Sequence, residues 1–84
     1  MVKAPKLFNV GGVYRAKKSF MSGRSTFVRD ELLRFQSDGY SHYDDCFGYT
    51  FRSDTDGQTK HWLLDIDQKP DVWCEFFEAA HSLN

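Results

Sequence analysis

Apolar and polar residues alternate with period two along several short stretches of the chain, the spacing that gives a strand one buried and one wet face. In YRAKKSF, Tyr14, Ala16 and Phe20 fall on one parity and Arg15, Lys17 and Ser19 on the other, with Lys18 breaking the pattern. This strand follows a loose N-terminal start and a turn at Gly11-Gly12. MSGRST then reads as a polar loop around its glycine. In FVRDELLRFQ, Arg29-Asp30-Glu31 has turn chemistry, after which Leu33 and Phe35 alternate with Arg34 and Gln36. SDGYSHYDD reads as a loop with an Asp-Gly signal. CFGYTFR is the clearest strand, with Phe47, Tyr49 and Phe51 facing one way and Cys46, Gly48 and Thr50 the other. SDTDG supplies a hairpin turn at Asp56-Gly57, and QTKHWLLDI returns with Trp62 and Leu64 opposite His61 and Leu63.

The last eighteen residues, DQKPDVWCEFFEAAHSLN, change period. Val72, Phe76 and Ala80, with Trp73 and Phe77, lie on one stripe at helical spacing, with Cys74 in or beside it. Pro70 suits a first helical turn, Asp71 and Glu75 its positive end, and His81 its negative end. The prediction is one mainly-β domain over 1–84. It is a small SH3-like antiparallel β-barrel of about five strands over about 8–66, closed by a C-terminal α-helix over about 70–81.

The blocks VGGVYRAKKSF, VRDELLRF, YSHYDDCFGYTF and HWLLD, spanning about residues 11 to 65, resemble in order those of a family of short bacterial domains of unknown function. That family has a Gly-x-x-Tyr strand, a Gly-Glu-x-Leu-x-Phe strand and a Tyr-rich segment. Asp30 stands here where the family pattern usually has its glycine. The resemblance implies an SH3-like barrel and carries no activity, ligand or catalytic residue with it.

Composition sharpens this picture in two respects. Aromatic residues make up 17 % of the 84, and large rings are how a small core gathers enough apolar area. Net charge is only −1, but residues 1–36 carry a balance of +6 and residues 37–84 one of −7. If the two halves fold apart, one face favours anions and another cations. MVKAPKLFNV lacks the apolar core and cleavage site of a signal peptide, and no apolar run is long enough for a bilayer, so a soluble cytoplasmic protein is expected. Cys46 and Cys74 are then two reduced thiols rather than a disulfide framework.

Candidate chemistry is thin. His42, Asp44, Asp45 and Cys46 match no common metal-ligand spacing. Asp54, Asp56 and Gly57 resemble a calcium loop only until Leu63, which stands where that loop needs a glutamate. Neither Cys46 nor Cys74 sits in a local nucleophile signature with a histidine. No metal or cofactor is called for, and the protein is expected to act by binding rather than as an enzyme.

Tyr40, His42, Tyr43, Asp44 and Asp45 are the leading contact residues, because tyrosines flanked by acids suit recognition of a basic protein partner. An inhibitor or immunity-type protein directed at a basic enzyme is one alternative, motivated by the ten acids after residue 36. Another is binding of single-stranded nucleic acid through Arg15, Lys17, Lys18, Arg24 and Arg29, interleaved with Phe20 and Phe27. The near-neutral charge weighs against nucleic acid. No membrane partner is expected, and the apolar helix is compatible with a monomer or a homodimer.

Overall fold

The computed structural model describes residues 3–41 and 45–80. Among these, seven strands follow one another: β1 Val13–Ala16, β2 Phe20–Ser22, β3 Ser25–Phe27, β4 Leu32–Ser41, β5 Cys46–Ser53, β6 Thr59–Asp65 and β7 Phe77–Ala79. Five of them form an antiparallel sheet in the order β6-β5-β4-β1-β7, and β2 pairs with β3 alone. No helix among the described residues is long and apolar enough to cross a membrane.

The period-two stretches become strands with the expected faces. Phe47, Tyr49 and Phe51 on β5, Trp62 and Leu64 on β6, and Leu33 and Phe35 on β4 are all buried. The hairpin turn between β5 and β6 holds Gly57 at a φ of 73°, a conformation that glycine adopts without steric cost. The stretch from Ser37 to Ser41, expected to be loop, instead continues β4, with a bulge between Phe35 and Ser37. There the Asp-Gly signal is overridden by cross-strand pairing, Asp38 opposite Tyr49 and Gly39 opposite Gly48. MSGRST likewise is no loop: it is the β2–β3 hairpin, turning at Gly23 with φ 58°.

The expected closed barrel does not form; the sheet is open. Its β6 edge meets the β2–β3 hairpin through serine hydroxyls rather than a strand ladder. Ser25 Oγ accepts from the His61 N–H at 2.9 Å and Ser22 Oγ from the Leu63 N–H at 2.8 Å. Those two N–H groups face away from β5, where a closing strand would have to find its donors.

Among the described residues the expected C-terminal α-helix is absent too. Pro70–Glu75 is a single 3-10 segment, and the chain then enters β7. Ala16 pairs with Phe77, Arg15 with Glu78 and Tyr14 with Ala79 along β1. Trp73, Phe76 and Phe77 have helical spacing, but a short isolated helix is marginal and aromatic residues favour strands, so the free edge of β1 decides. Cys74, expected in or beside the buried stripe, is exposed. His81 lies outside the described residues.

The core is a cluster of rings with Phe8 at its centre, meeting its neighbours mostly edge to face. Its centroid lies 4.9 Å from Tyr14, 5.0 Å from Phe51 and 5.1 Å from Trp73. The segment leading to Phe8 is therefore part of the fold rather than a loose start. Tyr49 Oη donates to the Pro5 carbonyl at 2.7 Å, and the Asn9 N–H donates to Tyr14 Oη at 2.8 Å.

Candidate functional site

The described residues of the tyrosine-rich segment, Tyr40, Ser41 and Asp45, lie at the far end of the β4–β5 hairpin, beyond the last residues of β4 that pair with β1. Tyr40 closes β4 one residue from its end, with its ring centroid 5.7 Å from Phe47. Its hydroxyl donates to Asp45 Oδ1 at 2.9 Å. That bond first, then burial and the Asp45 charge, pushes the Tyr40 phenol above its ordinary value, since ionisation would place two negative charges in contact. Asp45 enters β5 in the left-handed region, with φ 48°. Its carbonyl accepts from the Ile66 N–H at 3.2 Å. His42, Tyr43 and Asp44 lie outside the described residues.

The five basic residues expected to serve an anionic ligand do not form one patch. Arg15 faces Glu78 at 3.6 Å, Lys17 donates to the Cys74 carbonyl at 2.8 Å, and Lys18 lies 4.7 Å above the Phe76 ring. These three secure the C-terminal segment against β1. Arg24 and Arg29 stand elsewhere, on the walls of two neighbouring clefts. The interleaved rings turn inward: Phe27 is fully buried, and Phe20 stacks on it at 4.7 Å.

Between those clefts lies a buried ionic cluster. Lys60 Nζ donates to Glu31 Oε2 at 2.7 Å and to Oε1 at 2.9 Å, with side chains only 8 % and 5 % exposed. Ser53 Oγ donates to Glu31 Oε2, and the Val28 N–H donates to Oε1 at 3.1 Å. Lys60 also sits 5.6 Å over the Phe27 ring. Burial pushes the Glu31 carboxyl up, but the bonds from Lys60, Ser53 and Val28 and the lysine charge outweigh it, leaving its pKa below the ordinary value.

The signal for this cluster is parity. Lys60 shares the inward face of β6 with Trp62 and Leu64, and Ser53 shares that of β5 with Phe51. Glu31, just before β4, keeps the parity of Leu33 and Phe35. The pairings Leu33 with Ser53 and Phe51 with Lys60 bring all three to one end of the sheet. A charged residue on an apolar parity needs a partner, and here each of the two is the other's.

The cluster is chemically closed. Ser53 Oγ donates to a carboxylate that also takes both lysine bonds, so the polar groups of the cluster satisfy one another. Its effect is mechanical: it ties the turn at 28–31 to the strands carrying the turn at 54–58.

No protein-family model matches the chain, and no curated protein matches its sequence. Among solved structures, the chain is similar to an integron cassette protein from the mobile metagenome of Vibrio cholerae. The TM-score is 0.67 at 17 % identity, over 88 % of this chain and 87 % of that one. The likeness is one of fold.

Proposed function

We propose that the chain is a bacterial, cytoplasmic binding module that recognises another protein, with its contact surface at the tip of the β4–β5 hairpin. The observation that carries this reading is the 2.9 Å bond from the Tyr40 hydroxyl to Asp45 at an exposed hairpin end. A tyrosine fixed in this way offers a large amphipathic surface that loses little side-chain entropy on binding. The carboxylate beside it favours a basic partner through faster encounter and better discrimination. The closed state of the Glu31–Lys60–Ser53 cluster supports binding over catalysis. The inward turn of Phe20 and Phe27 supports a protein partner over single-stranded nucleic acid, which needs rings presented for stacking.

The test is capture from the native lysate, with and without nuclease treatment, by the parent protein, Tyr40→Ala and Asp45→Lys. One protein should be retained by the parent at low salt and lost from both variants. Retention of the same protein by both variants moves the contact surface elsewhere, and retention that vanishes with nuclease treatment replaces the protein partner with nucleic acid.

A further inference from the structure

Two clefts, of about 350 Å³ and 290 Å³, share Val28, Asp56 and Lys60 in their walls and therefore form one continuous groove. Arg24 lines one part and Arg29 the other. Among the described residues, neither guanidinium has an ion pair or a side-chain hydrogen bond, unlike Arg15 and Arg34. We propose that this groove is a second binding site, distinct from the hairpin tip, for an extended acidic segment of a protein.

Both walls are preorganised. In the 28–31 turn, the Arg29 N–H donates to Ser19 Oγ at 3.0 Å, Asp30 N–H to the Ala16 carbonyl at 2.8 Å and Glu31 N–H to the Val28 carbonyl at 3.0 Å. In the facing turn, the Gly57 N–H donates to the Ser53 carbonyl and the Gln58 N–H to Asp56 Oδ1, both at 2.9 Å. The buried Glu31–Lys60 pair joins the two walls from beneath. A buried ion pair rarely stabilises more than an apolar replacement would, and fixing the spacing of two turns is a role an apolar pair would fill less specifically. Rigid walls leave little to order when a ligand arrives.

The lining selects the ligand. Its two arginines suit carboxylates, which they grip with parallel N–H bonds. Asp30 and Asp56 also stand in the walls; they oppose any anion brought against them and can accept backbone N–H groups, so the ligand must alternate carboxylates with donors. Val28, 54 % exposed, offers one apolar contact. No aromatic residue among those described lines either cleft, so bases have nothing to stack on. An extended peptide presents this set: acidic side chains with backbone donors between them.

The experiment is an amide-resolved NMR titration of the whole chain with a capped hexaglutamate peptide at low ionic strength. Saturable shifts are expected at residues 24–31 and 54–60. Binding should weaken about tenfold in Arg24→Gln/Arg29→Gln, the scale expected when two exposed ionic bonds are removed together. It should be unchanged in Lys3→Gln/Lys6→Gln, which removes the same charge elsewhere. Absence of saturable shifts overturns the proposal, as does equal weakening in the control variant, which would reveal diffuse attraction. Tighter binding of pyrophosphate or oligothymidylate at the same amides overturns the ligand class.

Discussion

Glu31 and Lys60 are the two charged side chains that the described core encloses, and each is tolerated there only because of the other. Removing one charge leaves its partner desolvated, so Glu31→Gln should destabilise the protein by about 3 kcal/mol in urea unfolding at pH 7. Glu31→Gln combined with Lys60→Met keeps an oxygen for the Val28 N–H and Ser53 while deleting the stranded charge. It should recover most of that loss, since apolar replacement of buried pairs is often neutral. The pH dependence follows from the lowered Glu31 pKa. A carboxyl depressed on folding contributes its stability above the unfolded value, 4.5, and loses it as pH falls through the lower folded value. The parent should therefore lose more stability than the double variant between pH 5 and pH 3. Equal acid slopes would show that Glu31 does not govern this loss.

Asp30 belongs to the same scale. Its φ of 72° is left-handed, a region that aspartate is among the few side chains to visit at modest cost. The residue identity was legible in the sequence, but its backbone conformation was not. It arises from the Asp30 N–H reaching back to the Ala16 carbonyl, a bond between segments distant in sequence.

At the scale of elements, strands were legible wherever apolar parity ran unbroken, as in β5 and β6, because one buried face specifies both register and direction. The sequence misleads where tertiary pairing overrides a local signal. Asp38-Gly39 reads as a turn yet lies within β4, held by β5. The C-terminal segment reads as a helix yet ends as β7, because β1 has an edge to pair and the rings of Trp73, Phe76 and Phe77 have a core to cover. This assignment has a backbone test. The Ala80 N–H bonds to the Val13 carbonyl and the Lys17 N–H to the Phe76 carbonyl, and alternation along an antiparallel ladder then makes Arg15 and Glu78 a hydrogen-bonded pair. Glu78→Pro deletes a ladder donor and should cost about 3 kcal/mol, whereas Glu78→Gln, which removes only an exposed ion pair, should cost less than about 1 kcal/mol. Equal effects in chemical denaturation would mean that residue 78 is not in a ladder.

Across the whole molecule, the division of charge between the two halves of the sequence does not become two opposed faces. Arg15 meets Glu78, Lys17 meets the Cys74 carbonyl and Arg34 meets Asp54 at 3.8 Å, so much of the basic half is absorbed by the later chain. What remains is local: Tyr40 with Asp45 at one end of the sheet, Arg24 and Arg29 beside the cluster at the other. The sequence supplied these residues as candidates, but only the strand pairings reveal that the five basic residues separate. Asp45 precedes β5 and Ser53 ends it, which places the two surfaces roughly 26 Å apart at about 3.3 Å per residue. Substitutions at that separation with no shared partner act independently. Combining Asp45→Lys with Arg24→Gln/Arg29→Gln should therefore leave each binding loss unchanged to within about 0.5 kcal/mol, measured calorimetrically for the captured partner and the acidic peptide. A coupling well above that value would mean that the sheet transmits one site's occupancy to the other, or that a single partner spans both. The two surfaces would then have to be read as one.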